Sequence, residues 1–183
     1  MAAVRKHLKT KSRTKVKRVT SKKVRAGTTN PEELKPQEMY ERALRLAEDD
    51  REAHANEVVL LLEGAANAGH AKAAHALATW YIHGIGVRKN FKKAVALETV
   101  AARSGITEAL YNLAFAYETG RGTKKDEAKA FQLYREAARD GDADAMHEVG
   151  RCLYYGIGTP KNERLGRRWI DRSTAAEKGS GVE

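Results

Sequence analysis

Cysteine occurs once among the 183 residues, at position 152. A single thiol excludes an intrachain disulfide and a multi-thiolate metal site, and nothing calls for an oxidising compartment. Long apolar runs are also missing. The longest, Val58 to Leu62, has five residues, whereas a membrane-spanning helix needs about 20. The basic N-terminus lacks the apolar segment that follows the charged region of a secretory signal. An intracellular chain is therefore expected, cytoplasmic or, in a eukaryote, nuclear. The third absence is local: residues 1–30 contain no Asp, no Glu and no Phe, Tyr or Trp.

What those thirty residues do contain is eleven cations: Arg5, Lys6, Lys9, Lys11, Arg13, Lys15, Lys17, Arg18, Lys22, Lys23 and Arg25. The rest of the chain holds 34 − 11 = 23 Lys and Arg against 24 acids, so the overall net charge of +10 belongs to this segment. Its few larger apolar residues, such as Val4 and Leu8, cannot bury a core, and a disordered basic tail is expected, closed by the turn formers Gly27 to Pro31. Clustered cations bind polyanions by releasing counterions. The same residues would serve as a nuclear address or, less well because Lys outnumbers Arg, as an organellar transit peptide. A solvated tail that binds nothing remains the plain alternative. Without aromatics it is not expected to stack on bases.

With 42% hydrophobic residues, the remainder has enough apolar material for a core. Its organisation is set by Gly84-Ile85-Gly86, which returns as Gly120-Arg121-Gly122 and Gly156-Ile157-Gly158, each copy 36 residues on. At that spacing Ala73, Ala109 and Ala145 coincide, as do Leu77, Leu113 and Val149, and Tyr81, Tyr117 and Leu153. After the glycines, Asn90, Asp126 and Asn162 fall in phase as helix N-caps, followed by Ala94, Ala130 and Gly166. Gly-x-Gly ends one helix, since glycine alone accepts positive φ without steric cost, and the Asx residue starts the next. Each unit is then a helical hairpin that buries its apolar face only by stacking on its neighbours.

Upstream, Pro36 suits a first helical turn and Met39, Tyr40, Ala43, Leu44 and Ala47 follow at helical spacing. A second helix is expected from about Glu52 to Ala68, with Val58, Leu61 and Ala65 inward and Gly69 closing it. The predicted organisation is a basic tail (1–30), a degenerate leading helix pair (31–70), three repeats (71–106, 107–142 and 143–179) and a short C-terminal tail (180–183). The fold class is all-α: a right-handed α-solenoid of stacked antiparallel helix hairpins, about eight helices and no strands.

The pattern A-x-A-x-x-x-L-A/G-x-x-Y-x-x-G-x-G, with an Asx four residues on and then A-A-x-x-G, resembles the Sel1-like repeat family. It covers residues 71–179 strongly and about 52–70 in part. Gly84 and Gly86, Gly120 and Gly122, Ala101-Ala102 and Ala137-Ala138 all fall in phase. The departures are Leu153 for Tyr, Gly166 for Ala, and two additional residues in the last unit. The resemblance implies an adaptor or scaffold that binds other proteins, and in most cases no catalysis. Some members are secreted with paired cysteines, which this chain lacks.

Catalytic and metal chemistry find little footing. Gly120 to Lys125 imitates a phosphate loop, but a helix and not a strand precedes it, and the in-phase copies mark it as a turn. His75, His83 and His147 lack the Cys or carboxylate spacing of a zinc site. Cys152 shares a column with Trp80 and Ala116 and is expected to be a buried, inert thiol. No cofactor, metal or enzymatic activity is expected. The surface is the better lead. Three columns of the first helices lie at i, i+4 and i+7: His75, Tyr111 and His147; Thr79, Phe115 and Arg151; Ile82, Glu118 and Tyr154. Stacked hairpins place them along a concave face, where a protein or peptide partner is expected, with exposed aromatics and Arg as anchors, unless Tyr111 and Phe115 only pack between repeats. Arg164, Arg168 and Arg172 share one face of the last helix, beside Arg167. They read as a polar cap or as a second phosphate contact. The rival reading is a nucleic-acid-binding or ribonucleoprotein subunit that works through the tail.

Overall fold

A computed structural model describes residues 34–179. The basic segment 1–30, with its eleven cations, and the predicted C-terminal tail 180–183 lie outside the described residues. Eight helices follow in order: α1 (Pro36–Asp49), α2 (Ala55–Asn67), α3 (Ala71–His83), α4 (Phe91–Arg103), α5 (Thr107–Thr119), α6 (Glu127–Arg139), α7 (Ala143–Tyr155) and α8 (Glu163–Gly179). Among the described residues there is no strand. The main packing runs between consecutive helices, α1 on α2 through to α7 on α8. This is the layout of an α-solenoid, in which each hairpin meets its neighbours in turn.

The helix boundaries follow from the local chemistry. Pro36 stands at the start of α1, where its missing N–H costs nothing, and Glu38 accepts from the Lys35 N–H at 2.9 Å. The second helix begins at Ala55, three residues later than expected from Glu52. Asp50 is the reason. Its Oδ1 accepts from the N–H groups of both Glu52 and Ala53, at 3.1 and 3.0 Å, and holds residues 51–54 in a turn. The Asx caps form as expected: Asn90, Asp126 and Asn162 accept from Lys93, Lys129 and Leu165. His70 and Asp142 cap α3 and α7 in the same way.

Each Gly-x-Gly has two distinct jobs. The first glycine is the left-handed C-cap: Gly84 has φ +77 and returns its N–H to the Trp80 carbonyl at 2.8 Å. The second also has positive φ, and it lies against the first residue of the preceding unit's second helix. A Cβ on Gly86 would stand 2.8 Å from the Ala55 carbonyl oxygen. The same atom on Gly122 would strike the Phe91 carbonyl, and on Gly158 the Glu127 carbonyl. Ala55, Phe91 and Glu127 are themselves 36 residues apart, so this backbone contact is part of the repeat.

The core is continuous through the stack. One cluster joins α1 to α4 through Ala43, Val58, Leu61, Leu62, Leu77 and Trp80. Another joins α5 to α8 around Tyr134, Met146, Val149 and Cys152. Ala74, Ala101 and Ala109 link the two. Burying a side chain such as Leu61 stabilises the array by about 2 kcal/mol. In the last hairpin, a Cβ on Gly150 would meet the Gly166 carbonyl oxygen at 2.8 Å, and one on Gly166 the Gly150 carbonyl oxygen at 2.7 Å. The two glycines that replace alanines therefore face each other and let α7 and α8 approach closely.

Candidate functional site

The nine residues of the predicted surface fall on α3, α5 and α7, but they do not form one free stripe. Thr79, Ile82 and Phe115 line a cavity of about 320 Å³ between α3, α4 and α5. Phe115 is 43% exposed there. His147, Arg151 and Tyr154 line a second cavity of about 330 Å³ between α7 and α8. The remaining three, His75, Tyr111 and Glu118, are held in internal contacts.

Those contacts are polar bridges between units. Glu98 of α4 is 2% exposed. Its Oε2 accepts from His75 Nδ1 at 2.9 Å and its Oε1 from Asn112 Nδ2 at 2.8 Å, so one carboxylate ties α3 to α5. The Glu98 hydrogen bond raises the His75 pKa above its ordinary 6.5, although burial pulls the other way. One unit further on, Arg151 donates to Glu118 and to Glu148, each at 2.6 Å. The buried Tyr134 hydroxyl donates to the other oxygen of Glu118 at 3.0 Å, and Tyr111 packs edge-on against the Tyr134 ring. Burial, with Glu118 beside it, holds the Tyr134 phenol protonated far above its usual range. Tyr111 thus packs between repeats, whereas Phe115 stays at the surface.

The His75 contact has a pH signature. A folded-state pKa raised above the unfolded 6.5 means that its stabilisation is fully present below 6.5 and fades as pH rises through the folded value. The gap in urea midpoint between the parent and Glu98→Gln should therefore be wider well below pH 6.5 than well above it. A gap that does not move with pH would show that the two groups are uncoupled.

Several contributors to the cavities were not singled out as site residues in the sequence, and for three of them the repeat columns carried the signal. Phe91 occupies a position that is Ala55, Glu127 and Glu163 elsewhere; Arg121 one that is Ile85 and Ile157; Glu98 one that is Leu62, Tyr134 and Ile170. In each case the odd residue of its column lines the first cavity. The Arg121 guanidinium also stacks over the Phe91 ring at 4.8 Å. Tyr155, 67% exposed, lies one residue outside the predicted columns, on the second cavity.

Cys152 is buried, and burial pushes its thiol up to about 11, which keeps it protonated and unreactive. No helix among the described residues is long and apolar enough to cross a membrane.

The family model described as Sel1 repeat matches residues 71–105, 107–142 and 143–180. The chain belongs to the Sel1 repeat family. Its fold is similar to a Sel1 repeat protein from Oxalobacter formigenes, at 27% identity and a TM-score of 0.72, over 77% of this chain and 58% of that one. It is also similar to c5321, a protective antigen of uropathogenic Escherichia coli with an SLR fold, at 25% identity and a TM-score of 0.74, over 83% of this chain and 34% of that one. Cysteine rich protein B of Helicobacter pylori shares the fold at 24% identity and a TM-score of 0.51, over 67% of this chain and 90% of that one. The chain thus spans 58% and 34% of the first two structures. None of the curated proteins compared matches it. Sel1 repeat proteins generally mediate protein–protein interaction, and the family fold is typically non-catalytic.

Proposed function

We propose that this Sel1 array is an adaptor that takes an apolar side chain of a partner protein into the cavity between α3, α4 and α5. The observation that supports it is Phe115. An aromatic ring 43% exposed beside Ile82, on a cavity that Arg121 borders, has the composition of a binding hot spot. The floor is already satisfied, because both oxygens of Glu98 are engaged. An entering apolar group therefore does not strand this carboxylate.

Affinity capture with the full chain tests this. Partners held by the parent should be lost with Phe115→Ala, which removes an anchor worth more than about 2 kcal/mol in a typical hot spot. They should be kept with Val100→Ala, an exposed apolar residue of α4 that does not line the cavity. Equal retention by both variants would sink the reading. Tyr154→Ala asks the same of the second cavity.

Residues 1–30 supply a separate contact in this reading, to an anionic partner, and their local charge of +11 is what supports it. Deleting residues 1–27 should lower the salt dependence of polyanion binding while cavity-dependent capture persists. A salt dependence unchanged by the deletion would leave the segment as a targeting signal.

A further inference from the structure

Helix α8 carries Arg164, Arg168 and Arg172 on one face with Arg167 beside them, all exposed. None of these guanidinium groups lies within 4.0 Å of a carboxylate oxygen among the described residues. Among the described residues, Arg42 and Arg151 are the arginines that do hold carboxylates in ion pairs elsewhere in the fold. Two of the four lie over aromatic rings instead: Arg167 is 5.7 Å from the centre of the Tyr154 ring and Arg172 is 5.4 Å from that of Trp169. Beyond Tyr154, the 67%-exposed Tyr155 packs edge-on against it at 5.0 Å. The two tyrosines and Arg167 border the cavity between α7 and α8. The nearby acids are few. Glu148 is bound to Arg151 and Glu163 to Lys161, and α8 itself carries two further acids, Asp171 beside the arginines and Glu177 beyond them.

We propose that this face binds single-stranded nucleic acid, with the α8 arginines on phosphates and Tyr155 stacking on a base. A cap that only confers solubility needs charge of either sign, mixed, and gains nothing from an exposed ring. Non-specific single-strand sites combine a row of cations with aromatic platforms and arginine–ring contacts. Arg164, Arg168 and Arg172 stand one helical turn apart, so the row extends about 12 Å at 1.5 Å per residue. An acidic peptide would satisfy the arginines and leave Tyr155 without a role. This contact is distinct from that of residues 1–30, which have cations but no Phe, Tyr or Trp.

Fluorescence anisotropy of the full chain with a labelled oligouridine, across a salt series, tests the proposal. The double variant Arg164→Gln, Arg168→Gln should reduce the slope of log K against log salt by about 1.4, at roughly 0.7 per phosphate on a single strand. Tyr155→Ala should leave the slope unchanged and weaken binding about tenfold. A 4-thiouridine oligonucleotide should crosslink at Tyr154 and Tyr155. All three residues changed are exposed, and a parent-like urea midpoint checks that the variants fold. Crosslinks confined to residues 1–30 with an unchanged slope would overturn the proposal, since the basic segment alone would then bind. A labelled polyglutamate binding as tightly as the oligonucleotide, with Tyr155→Ala silent, would also overturn it and make the face an acidic-protein dock.

Discussion

Gly122→Ala should destabilise the array by about 4 kcal/mol. Two effects add at this one atom. The backbone there has φ +79, and a side chain in the left-handed region costs about 1–2 kcal/mol. The new Cβ would also strike the Phe91 carbonyl at the start of α4. Neither backbone can rotate away as a side chain would, so α4 must shift, and overpacking of this kind costs typically 1–3 kcal/mol. Gly105→Ala is the control. Its φ is +86, yet nothing stands within 4 Å of the added atom, so only the conformational cost of about 1 kcal/mol should appear. Urea unfolding of the three proteins measures the difference. Equal losses would mean that the second glycine of each motif is a turn residue and not a seat for the neighbouring unit. For a domain whose whole stability is on the order of 5–15 kcal/mol, the expected gap is large. It should also split the transition, because it strikes the junction between units and not one unit's core.

The second large effect is expected at Glu98. Glu98→Ala should cost about 3 kcal/mol, because removing one partner of a buried polar pair leaves the others unsatisfied. The carboxylate is the acceptor for His75 and for Asn112, on the helices either side of it. Its loss would leave a hole where the columns of other units hold Leu62 and Tyr134. Glu98→Gln keeps the shape and an acceptor for Asn112, so it should recover most of the loss while abolishing the His75 pH signature. Glu98→Leu, which copies the leading unit, separates packing from hydrogen bonding. If the leucine variant is as stable as the parent, the carboxylate is kept for the cavity above it. Thermal and urea unfolding at a pH below 6.5, where the His75 contact is strongest, gives the clearest reading.

How much of this was legible beforehand varies residue by residue. Gly84, Asn90 and Asp126 could be read directly, because capping is decided within a few residues of chain and depends on φ and one side-chain acceptor. The start of α2 was misplaced by three residues because Asp50 competes for the N–H groups of Glu52 and Ala53, a local bond that apolar periodicity does not register. The nine surface residues were placed on the helices expected of them. Their availability was not legible. Arg151 and Phe115 share a column, yet one is tied to Glu118 and Glu148 and the other is exposed. The difference lies in which residues the adjoining helices bring up to them. Phe91, Glu98 and Arg121 were visible as odd members of their columns, and a comparison of unlike residues, besides the like ones, would have found them.

By itself the sequence determined that the chain repeats every 36 residues, that each unit is a helical hairpin, where the hairpins turn, and that the cations of residues 1–30 are segregated from a near-neutral remainder. All of these depend on contacts within one unit or on composition, and both are written along the chain. Only the tertiary structure decided which members of the repeated columns are spent on joining units and which remain at the surface. It also decided that the second glycine of each motif is a seat for the preceding hairpin, and that an exposed tyrosine shares a cavity with Arg167 of the last helix. These features depend on the distance between groups on different helices, which is set by how closely one helix settles on the next.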